Sequence, residues 1–536
     1  MLQVPAIRPS NPVLWKELRT RIRGNRAYWL LFWYVMLLSI VLFCAYFLKQ
    51  RMALKQPIEI YADPVGRDLF EVLSVTQAAL LTIVTPTLTA GMVTIEREQR
   101  TLDLLMLTLL RPREIAEGKL LSAFGFAALL LTASLPLAGI CFMLGGISPG
   151  EIAVTYLMLA GATLFCGALG LLVSAMARTT VISTAATYMA VLALGLCMGV
   201  TIVSSTMDAR LFAGFNPMFA VFFGPEQTTF YRWHVPNWIP SLVLTLLAAL
   251  LATAGAAHKL EAGVSECPGA LRWLTWTFFT AMAFCCIGSI LGGVPQSTSV
   301  EELREAAAIL GGTLFLALAL LALFFCTGDA TEIYGEVPAR EAGVSRGPLT
   351  RFARSWLFTG GYASGPAYIL FLFLTGAIVI VTGFPLAGHT DWVQITGIIL
   401  AALGVALSGT LLWIAMARFF SVVRGNRLQA GIFTYVTLGV ALILLPLLNT
   451  DAWKGPAHQP GILAWTLYLN PGCAFFALGS TPEAWKKVDL SLPAGQNSTW
   501  VFTFFLYMGL AAIIEVWGQA RRRQERARRK VPARAE

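Results

Sequence analysis

Charged side chains are scarce in this chain of 536 residues. Asp, Glu, Lys and Arg together supply 13% of the sequence, whereas hydrophobic residues supply 57%. Soluble globular proteins carry about 25% charged residues, so the composition excludes a soluble enzyme and a disordered chain. Histidine occurs only 4 times, and the 9 cysteines include no Cys-x-x-Cys pair. These shortages argue against a metal site and against a disulfide-stabilised fold.

Motifs for catalysis and nucleotide binding are also missing. The sequence contains no phosphate-binding loop, no dinucleotide fingerprint and no His-Glu-x-x-His. Residues 343–347 read Gly-Val-Ser-Arg-Gly and match the hydrolase elbow by pattern, but that elbow must lie between a strand and a helix. Here Pro348 follows in a basic segment, which favours a flexible turn. We therefore predict a chain without catalytic residues and without a bound cofactor or metal.

Long uncharged stretches fill the sequence instead. A membrane-spanning helix needs about 20 predominantly apolar residues. Twelve stretches without Asp, Glu, Lys or Arg are long enough: 27–48, 72–95, 120–150, 152–177, 179–207, 233–257, 273–300, 306–328, 355–390, 392–417, 428–450 and 490–514. They predict an all-α polytopic membrane protein. Because ion-coupled transporters usually keep charged residues inside their spans, such a chain takes its energy from elsewhere or moves nothing.

The distribution of basic residues predicts the orientation. With the N-terminus in the cytoplasm and all twelve stretches crossing, about three quarters of the 39 Lys and Arg residues fall on the cytoplasmic side. Both termini are therefore predicted to be cytoplasmic. The net charge of +10 is explained by this bias and by a basic C-terminal tail that suits anionic lipid or merely water. It does not predict binding to nucleic acid.

The stretches divide into two halves of six. We predict a first half over 1–258, a cytoplasmic linker over 259–272 and a second half over 273–536. Each half repeats two short motifs in the same order, either by parallel duplication or by coincidence: Thr187-Tyr188 with Asn216-Pro217, and Thr434-Tyr435 with Asn470-Pro471. Asn followed by Pro favours the start of a helix. The apolar segments after these pairs are too short to cross, so each pair predicts an outer re-entrant or interfacial helix.

Two further helix starts are visible in the first half. Asn11-Pro12 predicts a basic amphipathic helix from Pro12 to about Arg23 on the inner membrane surface, or an extension of the first span. Ser148 and Glu151, with a proline between them, form a capping box that predicts the start of the fourth span.

The densest charged motif follows the second span. It begins with Glu-Arg-Glu at 96–98, and apolar residues then recur at helical spacing at Leu102, Leu105, Met106 and Leu109. An exposed amphipathic helix of this kind predicts a partner with a complementary groove. The alternative is a solvated loop helix that rests on the membrane.

Several motifs together resemble the permease subunits of type-2 ATP-binding-cassette (ABC) transporters. These are Glu-Arg-Glu followed by Thr-Leu-x-Leu-Leu, the later Pro-x-Glu-Ile-x-x-Gly-Lys-Leu, the N-terminal segment 11–19, Ala177-Arg178-Thr179-Thr180, and Asn216-Pro217. They occur in the expected order over about residues 10–258. The second half has no Glu-Arg-Glu after its second span, so it is a diverged permease half or an unrelated appendage.

The resemblance implies a role for two segments. A coupling helix would dock into a cleft on a separate ATPase through Glu96, Arg97, Glu98, Thr101, Leu102, Asp103, Leu104 and Leu105. A connecting helix beside that ATPase would include Trp15, Lys16, Leu18 and Arg19. ATP and Mg would bind to the partner, with two ATPase subunits per chain if both halves are permeases.

The sequence therefore predicts a multi-pass permease of an ATP-driven transporter, most simply an exporter in a bacterial inner membrane, for an unidentified cargo. Three alternatives stay open. They are an ATP-independent transporter of lipids or small molecules, a membrane scaffold that anchors a partner, and a membrane-embedded enzyme.

Overall fold

A computed structural model gives the architecture of the chain. It describes residues 12–23, 25–53, 65–107, 110–204, 227–260, 269–292, 300–327, 364–388, 393, 395–425, 427–439, 475, 478 and 499–530. The chain divides into two compact units. Unit 1 comprises Met1–Thr229 and His234–Val264, and unit 2 comprises Phe230–Trp233 and Ser265–Glu536.

Unit 1 is built from nine described helices. They are α1 (Pro12–Ile22), α2 (Asn25–Ala53), α3 (Val65–Thr89), α4 (Thr94–Glu98), α5 (Leu102–Met106), α6 (Pro112–Met143), α7 (Pro149–Met176), α8 (Thr180–Ser204) and α9 (Trp238–Leu260). The predicted amphipathic helix is therefore present, and it is separate from the first span because α1 ends before α2 begins. The predicted cap of the fourth span is also present, since the Ser148 hydroxyl accepts a hydrogen bond from the Glu151 amide at 3.2 Å.

Unit 2 contains six described helices. They are α10 (Gly269–Gly292), α11 (Val300–Cys326), α12 (Gly365–Ala387), α13 (Thr396–Arg424), α14 (Arg427–Gly439) and α15 (Thr499–Lys530). A small hairpin of β1 (Gln227–Phe230) and β2 (Trp233–Pro236) precedes α9 in the chain. Its tip residue Tyr231 has a left-handed φ of 55° and donates its amide hydrogen to the Gly288 carbonyl of α10 at 2.9 Å.

The prediction of a helical polytopic membrane protein is confirmed. In the described part of the chain, 10 helices are long and apolar enough to cross a membrane. Each of the twelve predicted stretches carries a helix: ten stretches carry these candidate spans, and the other two carry α8 and α14. The total number of spans and the cytoplasmic termini stay predictions. Asn216, Pro217, Asn470 and Pro471, the predicted starts of outer helices, lie outside the described residues.

One helix forms the centre of each unit. In both α7 and α13, 67% of the apolar window is buried, which is the highest share among the candidate spans. Helix α7 packs on α3, α6, α8 and α9, and α13 packs on α11, α12, α14 and α15. Small residues make this possible: a Cβ added at Gly170 of α7 would lie 2.1 Å from the Thr89 hydroxyl of α3. The backbones therefore approach closely, as small residues allow in membranes.

A glycine pair gives a matched test of this close packing. A Cβ at Gly66 of α3 would lie 2.3 Å from the Gly145 carbonyl oxygen, which belongs to the backbone and cannot rotate away. We expect Gly66→Ala to destabilise unit 1 by about 2 kcal/mol. Gly139→Ala in α6 meets nothing within 4 Å and should be neutral or stabilising, because alanine favours the helix. Thermal unfolding in detergent measures both, and equal melting temperatures would contradict the packing argument.

Candidate functional site

The charged motif after α3 folds into a short helix and a sharp reversal. Helix α4 ends near Gln99, and Arg100 adopts a left-handed φ of 56°. The Thr101 amide donates to the Glu96 carbonyl at 2.9 Å, which closes the end of α4 in the manner of a Schellman turn. Helix α5 then starts at Leu102. We call residues 94–107, which include both short helices, the reversal loop.

Arg97 joins the reversal loop to the end of α7. Its guanidinium donates to the carbonyl oxygens of Ala177 and of Ala175, the latter at 3.0 Å. The last carbonyls of a helix have no partner within the helix, and the helix dipole favours a cation at this end. Arg97 therefore acts as a cap on α7 that is supplied by a different segment.

Glu98 joins the same loop to the start of α8. Its carboxylate accepts a hydrogen bond from the Thr180 amide at 2.7 Å. An anion is favoured at this end of a helix, where the first amides lack partners. Adjacent residues of α4 thus cap the two helices that meet at the predicted Ala177–Thr180 motif, so α4 is anchored to that junction by charge-assisted hydrogen bonds.

Buried hydroxyl groups extend this anchor. The Ser174 hydroxyl of α7 accepts hydrogen bonds from the amides of Val93 at 3.0 Å and Thr94 at 3.3 Å, and so caps the start of α4. The Ser183 hydroxyl of α8 donates to the Ala90 carbonyl at 2.6 Å. Ser174 and Ser183 are both fully buried. The turn between α3 and α4 is therefore fixed to α7 and α8 on two sides.

Tyr188 supports α3 one turn further from the loop. Its hydroxyl donates to the Ile83 carbonyl at 2.7 Å and lies 2.6 Å from the Thr87 hydroxyl. Pro86 lies inside this part of α3 and removes the helical hydrogen bond to the carbonyl of Thr82, so Tyr188 binds α3 beside a turn that lacks one backbone hydrogen bond. In the sequence, Tyr188 stood out only as part of the repeated Thr-Tyr pair. The structure shows that its side chain binds α3.

A buried lysine connects the loop to α1 and α6. The Lys119 ammonium of α6 lies 2.6 Å from a carboxylate oxygen of Glu96 and 3.4 Å from one of Glu17 in α1. The Lys119 side chain is 3% exposed. The sequence placed Lys119 only inside a family motif and did not select Glu17, because the partners are far apart in the chain.

Helix α1 packs on α6 with one face and leaves the other in contact with solvent or lipid. Leu18 lies against Gly125, where an added Cβ would be 3.1 Å from the leucine methyl group. Arg21 donates to the Leu88 carbonyl at 3.3 Å. Burial lowers the pKa of the Arg21 guanidinium, and the nearby Glu17 partly opposes this effect. Of the predicted connecting residues, Trp15, Lys16 and Arg19 are exposed and Leu18 is half-buried.

The rest of the predicted coupling segment is partly exposed. Leu104 is 65% exposed and Leu107 is 82% exposed, and Thr101 is also exposed. Leu102 and Leu105 are half-buried. Helix α5 spans only Leu102–Met106, shorter than the sequence pattern suggested, and Leu109 lies outside the described residues, as does the side chain of Asp103. The loop therefore has a charged, anchored part at 96–98 and two exposed apolar side chains, Leu104 and Leu107.

Unit 1 also has a polar cluster inside its helical core. Gln77 of α3 donates to the Ser134 hydroxyl of α6 at 2.9 Å, and that hydroxyl lies 2.9 Å from the hydroxyl of Tyr156 in α7. Gln77 and Ser134 are fully buried. Single uncharged polar residues within apolar stretches gave no recognisable pattern in the sequence. Their hydrogen bonds fix the relative positions of three spans, since unpaired polar groups are costly in lipid.

Among the described residues, no group of three or more His, Cys, Asp or Glu side chains is placed to hold a metal ion. Glu96 pairs with Lys119, and Arg97 and Glu98 bind the ends of α7 and α8.

Comparison with known proteins identifies the region that contains the reversal loop. Residues 68–257 match a family described as ABC-2 family transporter protein. No curated protein and no solved structure matches the chain. The matched region covers α3 to α9, which includes the charged motif, the junction of α7 and α8, and the central helix of unit 1. This part of the chain is therefore a domain of the ABC-2 transporter family, the membrane permease of an ABC transporter.

Proposed function

We propose that the chain is the permease of an ATP-driven exporter and that the reversal loop receives the force of a separate ATPase. The observation that carries this proposal is the division of the loop. Glu96, Arg97 and Glu98 anchor it to three helices of unit 1, α6, α7 and α8, while Leu104 and Leu107 project outward. An exposed apolar turn on a rigid base fits a docking cleft.

The contacts of Arg97 and Glu98 would transmit a movement of the loop to α7 and α8. A movement of the loop pulls on the end of α7 through Arg97 and on the start of α8 through Glu98. Helices are stiff, and close packing leaves few intermediate arrangements. Displacement at the loop would therefore move α7 and α8 together, which is the kind of two-state rearrangement that alternating access requires. ATP and Mg would bind to the ATPase and not to this chain.

We further propose that unit 2 is a diverged second permease half, so that one chain serves two ATPase subunits. Each pair of extensively packed helices in unit 2 has a counterpart in unit 1 when the spans are taken in order. The counterparts of α3–α7, α7–α8 and α7–α9 are α11–α13, α13–α14 and α13–α15. Two unrelated six-helix units would not be expected to share this pattern.

Spacing along the chain supports the same proposal. One constant interval separates the start of α7 from that of α13 and the start of α8 from that of α14. The same interval relates three pairs of buried hydroxyl residues: Thr163 and Thr410, Ser174 and Ser421, and Thr187 and Thr434. Helix starts and buried hydroxyl residues thus match between the two units without a gap. This match supports duplication more strongly than the two repeated residue pairs in the sequence do.

The proposed location is the inner membrane of a bacterium, with both termini in the cytoplasm. The uncharged spans favour an amphipathic or lipid-like cargo over an ion, because ions require charged or strongly polar groups along their path. Export is the direction that suits such a cargo when it is made inside the cell.

Purification of the tagged chain in mild detergent tests the proposal. We expect an ABC ATPase to copurify at two copies per chain and its activity to respond to the permease. One copy per chain would contradict the two-permease arrangement. Absence of an ATPase, even after crosslinking through the reversal loop, would favour an ATP-independent transporter. An ATPase that binds without transport of any candidate cargo would favour a scaffold.

A further inference from the structure

Lys119 is a buried cation shared by two separate segments. Its side chain is 3% exposed, whereas the Glu96 and Glu17 side chains are 24% and 27% exposed. Glu96 belongs to the reversal loop and Glu17 belongs to α1. Lys119 itself lies in the second turn of α6, which is one of the candidate membrane spans. Helix α1, which is distant in the chain, thus meets the reversal loop and α6 at one ammonium group.

The chemistry of the Lys119 ammonium explains how it can link α1 and the reversal loop to α6. A buried ammonium is costly unless it is paired, and removal of one partner from a buried pair leaves an uncompensated charge. An ammonium has three donors and no fixed plane, so it can serve two carboxylates that approach from different directions. The exposed pair Arg113–Glu117 in the first turns of the same helix has no such constraint, with side chains 73% and 42% exposed.

We propose that Lys119 is a positioning residue that holds α1 and the reversal loop on α6 as one body. This inference rests on the proposed function, because it makes both segments move together when the ATPase cleft moves. Without the ammonium, the two carboxylates repel each other and α1 loses a polar link to the loop. The ATPase would then displace the loop without moving α1, and less transport would result from each ATP hydrolysed.

Hydrogen exchange of the purified full chain tests the link through Lys119 in the absence of an ATPase. We expect Lys119→Met to raise amide exchange rates at least about fivefold in both α1 and the reversal loop. Arg113→Met, which removes a cation from the same helix, should leave both segments at the wild-type rate. Faster exchange in only one segment, or in neither, would overturn the proposal.

A milder variant guards against loss of the fold. Glu17→Gln keeps the Lys119–Glu96 pair, so unit 1 should unfold at nearly the wild-type temperature while exchange in α1 alone increases. In the assembled transporter, Lys119→Met should retain the ATPase but lower transport per ATP hydrolysed by at least about threefold. Unchanged coupling would also overturn the proposal. If the wild-type protein retains no ATPase, the proposed function fails, but the exchange result still decides whether Lys119 links α1 to the reversal loop.

Discussion

Replacement of Leu104 and Leu107 together by aspartate is expected to abolish capture of the ATPase and, with it, transport. These are the most exposed leucines of the reversal loop, at 65% and 82%. Their burial in a partner cleft would contribute about 1.5–3 kcal/mol each. Two aspartates in the same cleft would add a desolvation cost, so the affinity should fall by at least about a hundredfold. Copurification at fixed expression level measures the effect.

A matched control separates docking from general damage. Met143→Asp with Leu144→Asp places the same two charges at the opposite end of α6, where both residues are exposed. That variant should retain the ATPase. Because the side chains of Leu104 and Leu107 are exposed, the variant that changes both should keep the wild-type melting temperature. Full capture of the ATPase by this variant would refute docking through 104–107.

Replacement of Arg97 by methionine is expected to have the second largest effect and a different character. The ATPase should still bind, because Arg97 faces α7 and not the exposed apolar turn. Transport should fall at least tenfold, because the loop would no longer hold the end of α7. Hydrogen bonds to a charged group contribute about 1.5–3 kcal/mol each, and this variant removes two of them.

The neighbouring Arg178 supplies the control for charge. It lies exposed at the same junction of α7 and α8, and Arg178→Met should transport within about twofold of wild type. ATP hydrolysis and transport measured on the same preparation distinguish uncoupling from loss of assembly. Joint loss of binding and transport in Arg97→Met would contradict its assignment as a transmission residue.

The two units close their corresponding helices differently. Helix α7 ends at Ala177 in an extended conformation and takes its cap from Arg97. Helix α13 ends at Gly425, which has a left-handed φ of 62° and whose amide donates to the Ser421 carbonyl at 2.8 Å. A glycine at this position satisfies the carbonyls locally. Under the proposed duplication, the two halves would differ at the junction where unit 1 depends on its charged motif.

The class of protein and the local starts of its helices follow from the order of the amino acids alone. Long uncharged stretches must form helices in a membrane, since backbone groups there need partners within the same segment. Caps such as Ser148 act over three residues, so the start of α7 could be predicted from four letters. The same is true of α1, whose Asn-Pro start and basic face lie within one short segment.

Which residues of the charged motif bind inside the protein and which face outward depends instead on how the helices pack. Glu96, Arg97 and Glu98 looked like surface charges in the sequence, yet each binds a group that is remote in the chain: Lys119, the end of α7 and the start of α8. Leu102 and Leu105 matched the helical spacing, yet Leu104 and Leu107 are the more exposed. Hydrophobic periodicity describes one helix at a time, whereas the partners and the exposure of a side chain depend on how several helices pack. Helix α5 is also too short to form a long amphipathic face.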